Sequence, residues 1–150
     1  MMTPIAKTVT VPLSPEDAFR LFFADIARWW PLESHSVSGK SARLTVEPHK
    51  NGLLIERGPD GSEHIWGTII GWEDGKYAAF SWHPGRSEDE ATVVTVSFKP
   101  GADGCVVDLT HGGFDILGDT ADAVSRSYLT GWNMVLGCYC SAVTQVHTPA

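Results

Sequence analysis

At 150 residues, 43% of them hydrophobic and 19% charged, the chain suits one domain with a sizeable core rather than a disordered segment. The formal charge is −7 with no run of Lys or Arg, which argues against nucleic acid or an anionic membrane as partner. No apolar run reaches the ~18 residues of a bilayer span, and the N-terminus MMTPIAKTVTVPLS has no secretory apolar region, so a cytoplasmic chain is expected.

In chain order, Lys7 to Val11 alternates polar and apolar and predicts a short strand ended by Pro12. Ser14-Pro15-Glu16-Asp17 is a helix start: a capping Ser, Pro at the first helical position and acidic residues in the first turn. Ala18, Phe19, Phe22 and Phe23 give that helix its apolar face. Asp25 opens a second short helix carrying Ile26, Trp29 and Trp30, and Pro31 stops it. Leu32 to Ser41, with Glu33, His35 and Lys40, is a loop that is a candidate lid.

Six further strands follow. Ala42–Glu47 and Leu53–Arg57 are joined through Asn51-Gly52, a hairpin signal. His64–Glu73 leads through Asp74-Gly75 into Tyr77–His83. Ala91–Lys99 and Cys105–His111 are joined by a turn rich in Gly and Asp. Period two places Ala78, Phe80 and Trp82 on one face, as it does Val94, Val96 and Phe98, and Val107, Leu109 and His111. The long strand is ambiguous, and Gly67 and Gly71 suggest a bulge or bend in it.

The last element, Asp119 to Val146, carries a stripe at helical spacing: Ala121, Val124, Tyr128, Leu129, Trp132, Val135, Leu136, Tyr139, Val143 and Val146. Asp119 is placed to cap it, with Asp122 three residues on. So long a stripe needs a wide apolar surface beneath it, and the strands are the candidate. The fold class expected is α+β: a curved antiparallel sheet of about seven strands wrapped around a long C-terminal helix, in a single domain over residues 1–150.

The order strand, two short helices, six strands, long helix resembles the helix-grip fold of the START/SRPBCC superfamily. The closer resemblance is to the branch related to the C-terminal domain of the activator of the heat-shock-protein-90 ATPase. It is carried by Val11-Pro12 with Ser14 to Phe19, Trp29-Trp30-Pro31, Gly67, Phe80-Ser81-Trp82 and Thr92 to Phe98. Further along it is carried by Leu109-Thr110-His111 with Gly113-Phe114, Gly131-Trp132 and Leu136-Gly137. The resemblance implies a sheet gripping the last helix around an apolar cavity. It implies no fixed chemistry, because the superfamily mixes lipid carriers, hormone sensors, cyclases, hydrolases and stress-response chaperone cofactors.

Three constellations are candidates for function. Aromatic residues Trp30, Trp66, Phe80, Trp82, Phe114, Trp132 and Tyr139, with Val96, Leu109 and Leu136, either line a pocket for a flat or greasy ligand or fill a solid core. Gly131 falls where it can bear on a cavity rim, and Gly137 on the outer face. Glu56, His64, His83 and His111 are polar residues among these strands. Glu56 and His111 could contact a ligand or act as acid and base. The third constellation is the outer face of the last helix, where Ala123, Ser127, Thr130, Met134, Gly137, Cys138 and Ser141 are small or neutral and a second copy could pack.

No catalytic or metal-binding motif is present: there is no HExxH, GxSxG or P-loop. Cys138 and Cys140 project about 200° apart on a helix and cannot share a metal. No cofactor is expected. The leading expectation is non-enzymatic binding of a small hydrophobic or aromatic molecule. The alternatives are a chaperone interaction of the kind the resemblance implies, or a small cavity enzyme using His111 and Glu56.

Overall fold

The structure is a computed structural model that describes residues 3–39 and 42–147, with side chains of the last helix as far as Thr144. Lys40 and Ser41 of the expected lid, and the Val146 side chain, lie outside the described residues.

Strand β1 (Ile5–Val11) leads into α1 (Pro15–Phe23), whose start is fixed as its residues dictate. The Ser14 hydroxyl accepts from Asp17 N at 3.1 Å, Pro15 takes the first helical position, and Glu16 and Asp17 face the positive helix end. Ala18, Phe19, Leu21, Phe22 and Phe23 are buried. Helix α2 (Ile26–Trp29) is one turn long, and Trp30 at its end is already extended because Pro31 follows.

The sheet comprises β2 (Arg43–Val46), β3 (Leu53–Arg57), β4 (Glu63–Glu73), β5 (Tyr77–Trp82), β6 (Thr92–Gly101) and β7 (Gly104–Gly112), joined by β1. It is antiparallel and seven-stranded, in the order β1-β7-β6-β5-β4-β3-β2, and it curls into a half-barrel. The first strand pairs with the last, so α1 and α2 carry the chain from one edge of the sheet to the other. Asn51, at φ 72°, supplies the left-handed residue of the β2–β3 turn.

Bulges re-aim the long strand β4. Leu54 pairs with Gly67 but Ile55 with Ile65, leaving Trp66 as the extra residue, and a second shift falls between Ile69 and Gly71. Trp66 and Ile69 therefore both point inward, three residues apart, which is why period two was ambiguous there. Gly67 is required by the close approach of the neighbouring strand: a Cβ there would lie 1.7 Å from the Ser81 carbonyl oxygen.

Two 3-10 turns, Glu88–Glu90 and Phe114–Thr120, were not expected from the sequence. The second moves the start of the last helix. Gly118, at φ 58° and ψ −125°, breaks the chain direction, and α3 runs Ala121–His147 rather than from a cap at Asp119. Along α3, Ala121, Val124, Trp132, Val135, Leu136, Tyr139 and Val143 are buried and Tyr128 is half-buried. Leu129 differs from the expectation: it lies at the margin of the stripe and is 39% exposed. On the outer face Ala123, Ser127, Thr130, Met134, Gly137 and Ser141 are exposed, whereas Cys138 turns partly back onto the core. No helix among the described residues is long and apolar enough to cross a membrane.

Candidate functional site

The space between sheet and α3 has two unlike halves. Between α1 and the C-terminal half of α3 it is filled. Phe19, Phe22, Phe23, Trp29, Phe98 and Tyr139 pack in tilted and edge-to-face pairs, with ring centroids such as Phe22–Trp29 at 5.1 Å, edge to face, and Phe22–Tyr139 at 5.0 Å, tilted. The Tyr139 hydroxyl donates to Ala18 O at 2.8 Å, tying α3 to α1, and burial pushes its pKa up. Toward the N-terminal half of α3 the filling stops, and a cavity of about 420 Å³ remains.

Four indoles wall that cavity. Trp30 comes from the end of α2, Trp66 from the β4 bulge, Trp82 from the end of β5 and Trp132 from α3. Their rings contact one another: Trp30–Trp66 at 5.2 Å, Trp66–Trp82 at 5.6 Å and Trp82–Trp132 at 5.3 Å. The loop residues Ser34, His35, Ser36 and Val37 close one side, the Pro84-Gly85 turn another, and Tyr128, Gly131 and Val135 of α3 complete the lining. The two loops meet at Val37 and Gly85.

Of the residues singled out in the sequence, Trp30, Trp66, Trp82 and Trp132 thus come together on the wall. Phe80, Val96, Leu109, Phe114, Leu136 and Tyr139 are buried in the packed core and do not line the cavity. Glu56 and His111 do not line it either, although both are fully enclosed. They hold its walls from behind.

Glu56 reaches from β3 to the loop that follows α2. Its Oε1 accepts from Val37 N at 2.8 Å and from the Trp66 indole at 2.9 Å, and its Oε2 accepts from Ser38 N. Burial alone raises a carboxyl pKa. The Val37 and Ser38 amides and the Trp66 indole outweigh it and hold Glu56 below its ordinary 4.5. An ionised carboxylate therefore sits behind the 32–39 loop, bound by the Val37 and Ser38 amides and the Trp66 indole.

His111 plays the matching part for Trp132. The Trp132 indole donates to His111 Nδ1 at 2.9 Å, which leaves the proton of a neutral ring on Nε2. Nε2 then donates to Thr92 Oγ1 at 2.6 Å, and the Thr92 hydroxyl donates to Trp82 O at 3.2 Å. Burial lowers the His111 pKa to about 3. A second proton would also have to enter at Nδ1, against the indole N–H. His111 is a neutral bracket rather than a base.

His64 is half-buried on β4, and His83 is buried in the turn after β5, where its N–H donates to Trp66 O at 2.6 Å. Neither lines the cavity. Sequence reading missed the Pro84-Gly85 wall and Tyr128 as a lining residue. The adjacency of Pro84-Gly85 to Trp82 was the available signal. Gly131 faces the cavity, opposite the His35 ring. A second and larger pocket, of about 540 Å³, lies between α1 and the β2–β3 and β4–β5 turns; Phe19, Phe23, Val46 and Trp72 line it, but its rim carries Glu16, Arg20 and Asp74. No cluster among the described residues is suited to hold a metal ion.

The fold agrees with what the comparisons show. The chain belongs to the family of activator of Hsp90 ATPase homolog 1-like proteins, whose profile matches residues 12–137. No curated protein matches significantly. Among solved structures, protein MLL2253 from Mesorhizobium loti superposes with a TM-score of 0.73 at 12% identity, over 98% of this chain and 100% of that one. Protein SSP2350 from Staphylococcus saprophyticus gives 0.66 at 21% identity, over 97% and 92%. An anthrahydroquino-γ-pyrone synthase, Txn09, solved as a complex, is 30% identical over 82% of this chain and 84% of its own, with a TM-score of 0.58.

Proposed function

We propose that this protein binds a flat, polycyclic aromatic molecule in the tryptophan-walled cavity. The observation that carries the reading is the convergence of four indoles on one hollow, whereas the larger pocket beside α1 carries Glu16, Arg20 and Asp74 on its rim. Its volume of about 420 Å³ suits a small organic ligand. The wall is built rather than incidental. Trp66 and Trp132 are held through their N–H groups by Glu56 and His111, and Trp30 donates to His35 O at 2.8 Å. Trp82 Nε1 is the one buried side-chain polar atom without a partner among the described residues, and it is on a lining residue. An unpaired buried donor costs about 1–3 kcal/mol, which a ligand acceptor offsets.

The relative Txn09 is named for a synthase with a fused aromatic skeleton, which supports the same ligand class and a second reading in which the bound molecule is a substrate. The family description names chaperone ATPase activation instead. Titration of indole fluorescence with anthraquinone tests the binding reading. Saturable quenching is expected for the native chain and is expected to weaken about tenfold or more in Gly131→Leu, whose side chain enters the cavity beside His35. Quenching of unchanged affinity in that variant contradicts the assignment. Stimulation of the chaperone ATPase, unaffected by Gly131→Leu, would favour the surface-mediated alternative.

A further inference from the structure

The cavity is walled mainly by apolar groups, with Ser34, Ser36 and the Trp82 N–H among its polar ones. His35 and Tyr128 are its only lining residues with acid–base side chains among the described residues. The Tyr128 phenol is pushed up by burial, which outweighs the nearby Arg86, and so keeps its proton. His35 is held from three directions. Its carbonyl accepts from the Trp30 indole at 2.8 Å, its Nδ1 lies 2.7 Å from Ser34 Oγ, and its ring rests against Gly131, where a Cβ would be 3.5 Å from Cδ2 and 3.6 Å from Nε2. Nε2 has no hydrogen bond among the described residues. An imidazole fixed in this way, with one nitrogen free beside an apolar hollow, is equipped to exchange a proton with whatever fills it.

Resting on the binding reading, we propose that His35 is the proton acceptor of the cavity and that the ligand is a hydroxylated aromatic taken up as its phenolate. The ligand O–H bond breaks, an N–H bond forms at His35 Nε2, and the electron pair stays on the ligand oxygen. Nothing else enters or leaves. Burying a lone phenolate among indoles is costly, whereas a phenolate against an imidazolium is a neutral pair. Ser34 Oγ accepts from Nδ1–H of the charged ring and can turn its own proton toward Met134 Sδ, 3.8 Å away. Ser34 is thus a positioning residue. The charged and titratable groups around His35 do not compete for this role. Glu33 is exposed on the same loop, and Glu56 is committed to Val37, Ser38 and Trp66. From α3 come the uncharged Gly131 and Met134 and the protonated Tyr128, while Arg86 beside Tyr128 is paired with Glu90.

The test uses alizarin, a dihydroxyanthraquinone whose colour changes on ionisation, with anthraquinone as the hydroxyl-free control. Each is titrated against the native chain, His35→Phe, His35→Gln and Ser34→Ala, with indole quenching reporting occupancy and circular dichroism reporting folding. Alizarin bound to the native chain is expected to ionise at a pH about one unit or more below the free dye, a tenfold gain in acidity. Bound to His35→Phe or His35→Gln it is expected to ionise above the free dye, because burial then acts alone. Ser34→Ala falls between. Identical ionisation in the native chain and both His35 variants, with quenching intact, overturns this inference and leaves the binding reading standing. Absence of quenching by either dye overturns both.

Discussion

Removing the His111 imidazole is expected to change how stability depends on pH. In the folded chain its pKa is lowered to about 3 from an ordinary 6.5, because burial disfavours the charged ring. Between those values the unfolded chain binds a proton that the folded chain does not, so stability rises with pH. The contribution is fully present above pH 6.5 and is lost as pH falls toward 3. One proton corresponds to about 1.4 kcal/mol per pH unit, so the native chain should lose about 3 kcal/mol between pH 6.5 and pH 4 from this group alone. Carboxylates add their own acid sensitivity, so the quantity to follow is the difference between the native chain and His111→Gln. Gln does not titrate and keeps an acceptor for the Trp132 indole. Urea unfolding followed by indole fluorescence at several pH values gives that difference. It should favour the native chain more steeply as pH rises from 4 to 6.5 and level off above. A flat difference across that range would refute the neutral-bracket assignment.

Other substitutions probe separate parts of the account. Glu56→Gln keeps one acceptor oxygen but sets an amide against the N–H of Val37 or Ser38. It should cost about 1–3 kcal/mol, or several degrees in melting temperature for a chain of this size. Because the Glu56 pKa is lowered, its contribution holds above 4.5 and fades as pH falls through the folded-state value, so the variant and the native chain should converge in acid. Gly131→Ala places a Cβ at ordinary contact distance from His35 within a helix, and should stabilise by up to about 1 kcal/mol in thermal unfolding. A loss would show that the His35 ring sits closer than the structure places it. Gly67→Ala should fail to fold or lose at least about 3 kcal/mol by urea unfolding, because its Cβ meets the Ser81 carbonyl oxygen.

Much of the architecture was legible in the residues. Ser14-Pro15-Glu16-Asp17 announced α1, Pro31 ended the segment holding Trp30, and strict alternation put Val94, Val96 and Phe98 on one face, which proves to be the buried one. The start of α3 was misplaced because the 3-10 turn Phe114–Thr120 has no periodic signature and only Gly118 marks its end. The site was legible in part. Large aromatic residues on core faces pick out the interior, but spacing along a strand cannot tell a filled half from a hollow one. That division depends on where α1 delivers Phe19, Phe22 and Phe23, which is a long-range matter. The roles of Glu56 and His111 were hidden for a related reason. A buried polar residue announces itself by its type, yet whether it faces a ligand or the back of a tryptophan is set by the bulge at Trp66 and the angle of α3.

The central claim, a ligand among four particular indoles, is tested most directly by nuclear magnetic resonance of the six tryptophan N–H groups during titration with a planar aromatic such as anthraquinone. Trp30, Trp66, Trp82 and Trp132 should shift together and saturate. Trp29, whose indole donates to Leu21 O, and Trp72, which lines the other groove, should stay in place. Movement of Trp72 alone would put binding in the groove beneath α1, and six unmoved signals would leave the cavity without its ligand.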